Sequence, residues 1–284
     1  MMKTFQKIEQ IRDFLVAKRK EGFSVGLVPT MGALHEGHIS LIDLARKEND
    51  IVVCTIYVNP TQFNNSQDFE NYPVSLEEDF SILEKHRCDV IFHPGNEEMY
   101  SDNECISFEV GRLDTIMEGL HRKGHFPGVA RVVTKFFNII RPDRAYFGQK
   151  DLQQFVLIDN LNTSLKFGIE LKRLPIVREK DGLAMSSRNR RLSLEQREKA
   201  VVFYQALEKA KDLISEGKDP TFVKDEITKR FDALPGVSME YFEVVEATSL
   251  APLSTLNAGT DIALCIAGFV GGIRLIDNMI LQLH

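Results

Sequence analysis

Eight consecutive residues, Ile51 to Val58 (IVVCTIYV), carry no charge, are rich in β-branched side chains, and stop just short of Pro60. A strand that is apolar at every position, and not at every second one, has to be covered on both faces. That is the pattern of a parallel sheet sandwiched between helices. Ser24–Pro29 is a shorter run that also ends in proline, and Asp89–Phe92, Arg144–Gly148 and Glu170–Val177 read as further strands. Helical periodicity marks the segments between them. Residues 7–20 set Ile8, Ile11, Leu15 and Val16 at helical spacing among charged positions, and His35–Asn49 does the same with Ile39, Leu41, Ile42, Leu44 and Ala45. Ser75–His86, Val129–Ile140 (entered through Gly128) and Asp151–Leu165 complete the series. Alternating strands and helices predict an α/β fold with a doubly wound parallel sheet, whose ligands bind beyond the carboxyl ends of the strands.

From about Arg178 the texture changes. A basic loop leads to a long charged helix, Leu194–Ile214, then to a second helix after Pro220 and to strand-like segments at Tyr241–Ala247 and Ile262–Phe269. This predicts a smaller α+β domain over 177–284, joined near residue 176 to a sheet domain over 1–176. A chain of 284 residues, 43% of them hydrophobic, can support both.

Several function classes are excluded at this level. No stretch reaches the roughly 18 uncharged apolar residues of a membrane-spanning helix, and MMKTFQK leads into a charged helix rather than an apolar signal core. A cytoplasmic protein without membrane contact is expected. Cys54, Cys88, Cys105 and Cys265 show neither a C-x-x-C pair nor a zinc spacing, and Cys54 and Cys265 read as small apolar residues of buried strands. A net charge of −6 argues against nucleic-acid binding. Yet Arg131–Arg191 holds 13 Lys/Arg against 6 Asp/Glu. That segment suits a small anionic ligand, or else forms a solvated basic face.

Chemistry concentrates in Gly26–His38 (GLVPTMGALHEGH), which runs from the end of the first long strand into a helix. Gly32 and Gly37 let backbone approach a ligand, the helix start leaves amide N–H groups unpaired, and His35 and His38 share one face of the first turn. Two imidazoles and several N–H donors directed to one place suit phosphate. No Cys or acidic cluster supports a zinc site around the two histidines, and the segment is neither a P-loop nor a dinucleotide fingerprint.

The segment resembles the HIGH-type motif of adenylyl-transferring enzymes, and Pro29–His38 is similar in particular to the pantothenate synthetase family. Val58–Phe63 (VNPTQF), Gly124–Val129 (GHFPGV), Arg141-Pro-Asp143, Gly148–Asp151 (GQKD) followed by Gln153-Gln154, and Asp181–Asn189 (DGLAMSSRN) match in the same order. These blocks span residues 26–191. The resemblance implies a Rossmann-like ATP- and pantoate-binding domain followed by a small lid, homodimerisation, and ATP with Mg2+ as the energy source. It also implies a two-step reaction. Pantoate carboxylate attacks the α-phosphate of ATP, and β-alanine then attacks the pantoyl adenylate. Because a carboxylate is ionised at neutral pH, no enzyme nucleophile or base is called for in the first step, and positioning with charge stabilisation should do the catalysis.

By match to the family, Met31, Gly32, Ala33, Leu34, His35, Glu36, Gly37 and His38 wrap the triphosphate, with His35, His38 and Lys150 as catalytic groups. Gly148, Gln149, Asp151 and Val177 complete the nucleotide site, and Met185, Ser186, Ser187 and Arg188 close over the phosphates. Gln62 and Gln154 hold pantoate, and Gln62 also meets β-alanine. Neutral amides orient a carboxylate without the ion pairing that would blunt it as a nucleophile. No protein-held metal is implied. Arg122 is either a triphosphate or β-alanine contact or a solvated loop arginine. Gln149 stands where the family has Glu, and altered tuning without loss of activity is expected. Two alternatives remain: a nucleotidyltransferase acting on a phosphate acceptor, which would call for Arg or Lys at 62 and 154, and a non-catalytic nucleotide-binding module, which would be expected to lack His35, His38 or Lys150.

Overall fold

A computed structural model describes residues 2–101 and 105–283. Six strands, β1 (Lys3–Phe5), β2 (Val25–Thr30), β3 (Ile51–Ile56), β4 (Val90–Phe92), β5 (Arg144–Gly148) and β6 (Glu170–Leu174), form one sheet in the order β1-β4-β3-β2-β5-β6. Every neighbouring pair is parallel. All six residues of β3 are buried, as a strand covered on both faces requires. The chain leaves β2 toward β3 on one side and returns as β5 on the other, so the switch point lies at the carboxyl ends of β2 and β5, at Thr30 and Gly148.

The helices Ile8–Lys20, Glu36–Glu48, Leu76–Lys85 and Leu152–Ser164 occur within two residues of the expected limits. The fifth, His125–Ile140, starts four residues earlier than Val129. Gly124, at φ +79°, supplies its left-handed entry, and Pro127 falls in the first turn, where a missing N–H breaks no intrahelical bond. β1 was not expected, since three residues at a sheet edge, two of them exposed, leave no periodic trace.

A second sheet is antiparallel, in the order β7-β8-β9, from β7 (Val237–Glu246), β8 (Asp261–Val270) and β9 (Ile273–Gln282). One core cluster joins this sheet to helices, with Phe203, Leu207, Val223, Ile227 and Phe231 against Phe242, Leu264 and Ile266. The expected helix Leu194–Ile214 is in fact two, Leu194–Ala200 and Val202–Ser215. Val201 between them keeps right-handed helical dihedrals, so the apolar stripe runs through the break and the sequence carries no sign of it. β9, whose pattern is broken by polar residues at its centre, was not expected either.

The chain forms two compact units, Met1–Gly148 with Leu157–Pro175, and Gln149–Val156 with Ile176–His284. Cys54 and Cys265 are buried on β3 and β8, as read from the sequence, and Cys88 is buried as well. Among the described residues, no helix is long and apolar enough to cross a membrane.

Candidate active site

At the end of β2 the chain has to reverse quickly into the helix Glu36–Glu48, and two left-handed residues, Gly32 (φ +82°) and Ala33 (φ +50°), make the turn. Gly32 has no room for a side chain, because a Cβ there would lie 2.8 Å from Asp79 Oδ2. Asp79, buried on the helix Leu76–Lys85, accepts the backbone N–H of Ala33 at 2.9 Å and of Leu34 at 2.8 Å. Thr30 Oγ1 accepts that of Gly32 at 3.2 Å and donates to Thr55 O at 2.7 Å. Successive loop amides are thus held from beneath.

His35 is the N-cap of the helix, and the cap is built from imidazoles. His35 Nδ1 accepts the Gly37 N–H at 3.1 Å, and His38 Nδ1 accepts the His35 N–H at 3.3 Å. This is a capping box with histidine in place of Ser and Glu. A backbone N–H can only donate, so each Nδ1 is an unprotonated acceptor and each neutral ring carries its proton on Nε2. The rings lie 4.1 Å apart, tilted by 39°. Gly37 permits this packing, since a Cβ there would stand 2.8 Å from His35 Cε1. Two Nε2–H donors on the positive end of a helix make a place for anionic oxygens.

Beyond β3, the short turn Pro60–Gln62 is capped by Asn59. Asn59 Nδ2 donates to Gln62 Oε1 at 3.1 Å and to Gly128 O at 3.2 Å, and its Oδ1 accepts from Tyr100 at 2.7 Å. Gln62 Nε2 then donates to Met31 Sδ at 3.0 Å, which brings Gln62 to the histidine loop. A second support comes from the helix His125–Ile140. The Arg122 guanidinium donates to His125 Nε2 at 3.0 Å, so the ring proton lies on Nδ1 and donates to Gln62 O at 2.8 Å. Gly128 lets the helix approach, as a Cβ there would meet Thr61 O at 2.2 Å.

In the second unit, Gln149, Lys150 and Asp151 form a 3-10 turn that leads into the helix Leu152–Ser164. Lys150 Nζ lies 3.9 Å from Asp151 Oδ2. Asn278 Nδ2 donates to Gln149 O at 3.0 Å and to Lys150 O at 2.9 Å. Carbonyls only accept, so Asn278 Oδ1 faces the other way and accepts a hydrogen bond from Gln149 Nε2 at 3.1 Å. A carboxylate at 149 would have no proton to give there. The segment from Val177 to Met185 folds back on itself, with Met185 N–H donating to Val177 O at 3.0 Å and a bridge between Arg178 and Ala184. Arg197 holds the bend by pairing with Glu179 at 2.5 Å and Asp181 at 2.8 Å. Ser186 then caps the short helix Ser187–Arg191 through the Arg188 N–H at 3.3 Å. Among the described residues, no three His, Cys, Asp or Glu side chains gather as a metal cage.

The family model for pantoate-β-alanine ligase matches residues 3–280. The chain belongs to the pantoate–β-alanine ligase family. It is 44% identical to a pantothenate synthetase of Cytophaga hutchinsonii over 99% of this chain and 100% of that one, and 47% identical to one of Thermosipho africanus with the same coverage. The crystal structure of pantothenate synthetase from Thermus thermophilus superposes with a TM-score of 0.91 at 39% identity, covering 98% of this chain and 99% of that one. The ligase from Francisella tularensis, complexed with β-γ ATP and β-alanine, gives 0.79 at 33% identity, covering 98% and 97%.

Of the residues expected to serve such a ligase, Met31, Gly32, Ala33, Leu34, His35, Glu36, Gly37, His38 and Gln62 lie in the first unit, where the Gln62–Met31 contact joins the two segments, and Gly148 ends β5 there. Gln149, Lys150, Asp151, Gln154, Val177, Met185, Ser186, Ser187 and Arg188 lie in the second. Glu36 is exposed, and Gln154 is half-buried beside a buried Gln153. Arg122 is no solvated loop arginine, because its guanidinium is largely covered and bonded to His125. Sequence reasoning missed Asp79 and Asn278, and gave no role to Asn59 or His125 although both fall inside matched blocks. Asp79 had left a trace, as a charge on the stripe that includes Phe80 and Leu83.

Proposed function

We propose that the chain makes pantothenate in two steps, first joining pantoate to AMP with release of pyrophosphate, then passing the pantoyl group to the amine of β-alanine with release of AMP. The observation that carries this reading is the imidazole capping box, which puts a donor Nε2–H on both His35 and His38 at a helix N-terminus beside the switch point of the sheet. In adenylation the pantoate carboxylate attacks phosphorus and negative charge grows on the phosphate oxygens. His35 and His38 donate to those oxygens, the Met31–His38 loop wraps the triphosphate, and Lys150 supplies a full positive charge. In the Met185–Arg188 segment Ser186 and Ser187 add hydroxyl donors and Arg188 a guanidinium, and Gly148, Gln149, Asp151 and Val177 hold the nucleoside end. Gln62 and Gln154 orient pantoate, with Gln62 also meeting β-alanine in the second step.

Mg2+ fits as a passenger on ATP, since the donors around the histidine loop suit phosphate and the ion would take its ligands from phosphate and water. When bound it supplies further charge neutralisation. The same reading includes a cytoplasmic location, a homodimer, and division of labour between a nucleotide-binding part over 1–176 and a lid over 177–284. The phosphate-acceptor alternative is disfavoured by neutral Gln at 62 and 154.

The test is exchange of labelled pyrophosphate into ATP. It should require pantoate and Mg2+ but not β-alanine, whereas product should require ATP, pantoate, Mg2+ and β-alanine together. Exchange that began only on adding β-alanine would rule out a free-standing adenylation step.

A further inference from the structure

Asn278 is 3% exposed in the middle of β9, where it and Asp277 interrupt an apolar run. Both protons of its amide are used on consecutive backbone carbonyls, those of Gln149 and Lys150, and its oxygen is used on Gln149 Nε2. Its own backbone is fixed as well. The Asn278 N–H donates to Asp277 Oδ1 at 2.7 Å, and its carbonyl accepts from Arg178 at 3.2 Å. Arg178 in turn holds buried Asp277 through two bonds of 2.7 and 3.0 Å, donates to Gly182 O at 2.9 Å, and lies 4.6 Å from the Tyr204 ring. Gly182 is part of this bracket, as a Cβ there would strike the Tyr204 ring at 2.0 Å.

Only a carboxamide can give two N–H groups to two carbonyls while accepting from a third group on the same plane. The carbonyls it grips belong to Lys150 and the residue before it. We infer that Asn278 is a positioning residue for Lys150, holding the backbone from which the ammonium group reaches the developing phosphate charge. This rests on the proposed role of Lys150 in adenylation.

Pyrophosphate exchange by the full-length chain tests it in a double-mutant cycle of Asn278→Leu, Lys150→Ala and the two combined. Leu keeps the branching and volume but offers no donor. Asn278→Leu is expected to lower exchange kcat by roughly 10- to 100-fold, with the pantoate KM changed by less than about threefold, the scale of a catalytic group displaced by about an ångström. In the Lys150→Ala background the same change should lower kcat by less than about threefold, because the group it positions is gone. A purely structural role predicts instead that the two losses multiply, and multiplication overturns the inference, as does normal exchange by Asn278→Leu. If Lys150→Ala itself exchanges normally, the role proposed for Lys150 is what fails. Should Asn278→Leu not fold, judged by its thermal melt, Asn278→Ser takes its place in the same cycle with the same outcomes.

Discussion

His38 Nδ1 accepts the backbone N–H of His35 at 3.3 Å, so one ring caps a helix through one nitrogen and carries its proton on the other. Two variants separate these duties. Asn places an amide oxygen near the position of Nδ1 but has nothing at Nε2. His38→Asn should keep a melting temperature near that of the unaltered chain while the kcat of adenylation falls by roughly 100-fold. His38→Ala should show the same fall and a further loss of about 1 kcal/mol of stability from the missing cap. Thermal melts beside exchange rates decide the matter, and near-full exchange by His38→Asn would remove His38 from the chemistry.

Gly128 stands where a methyl group would meet Thr61 O at 2.2 Å and Gln62 N at 2.7 Å. Gly128→Ala should therefore push the Pro60–Gln62 turn aside and reproduce Gln62→Ala, with the pantoate KM raised roughly tenfold and kcat of adenylation less affected. The overpacking should also destabilise the fold by about 1–3 kcal/mol. Steady-state kinetics in pantoate check it, and an unchanged KM in both variants would take Gln62 away from the acid.

Burial pushes the Cys54 thiol up and the Cys88 thiol up to about 12, whereas Cys105 is exposed. A thiol-disulfide reagent near pH 8 should modify one cysteine of the native chain rapidly, and all four only after denaturation. Mass spectrometry of peptides identifies the site. Fast labelling of Cys54 in the native protein would contradict the burial of β3.

Partial burial favours the neutral form of Glu246, but hydrogen bonds from Ser249 and Thr248 outweigh it and lower the carboxyl from 4.5 to about 2. A depressed carboxyl stabilises the fold above its unfolded value and loses that contribution as pH falls through its folded value. Glu246→Gln should thus melt below the unaltered chain at pH 7, and the gap should close between pH 4.5 and about 2. A gap that stayed constant across that window would assign the effect to packing instead.

How far the sequence foretold this molecule depended on what each residue had to satisfy. β3 was legible because six neighbouring residues answer to one demand, burial on both faces. The histidine loop was legible because glycine and histidine types there have a chemical reason that local spacing exposes. β9 was not, since Asp277 and Asn278 interrupt its apolar run, and their partners Arg178, Gln149 and Lys150 lie about a hundred or more positions away in the chain. Asp79 and His125 escaped for the same reason: each is explained by a backbone group of a distant segment, which no local window contains.

The stretch Gln149–Val156 is grouped with the second unit although its sequence neighbours on either side belong to the first. A gene shortened after residue 176 would still encode every strand of the parallel sheet, yet its product would leave the Gln149 and Lys150 carbonyls without Asn278. A gene that started at 177 would encode Asn278 with nothing to hold. Recombination between relatives, in a laboratory chimera or in a population, has to keep residues 149 and 278 matched, because the Gln149 amide bonds that of Asn278, whereas the two main-chain carbonyls are present whatever side chains they carry.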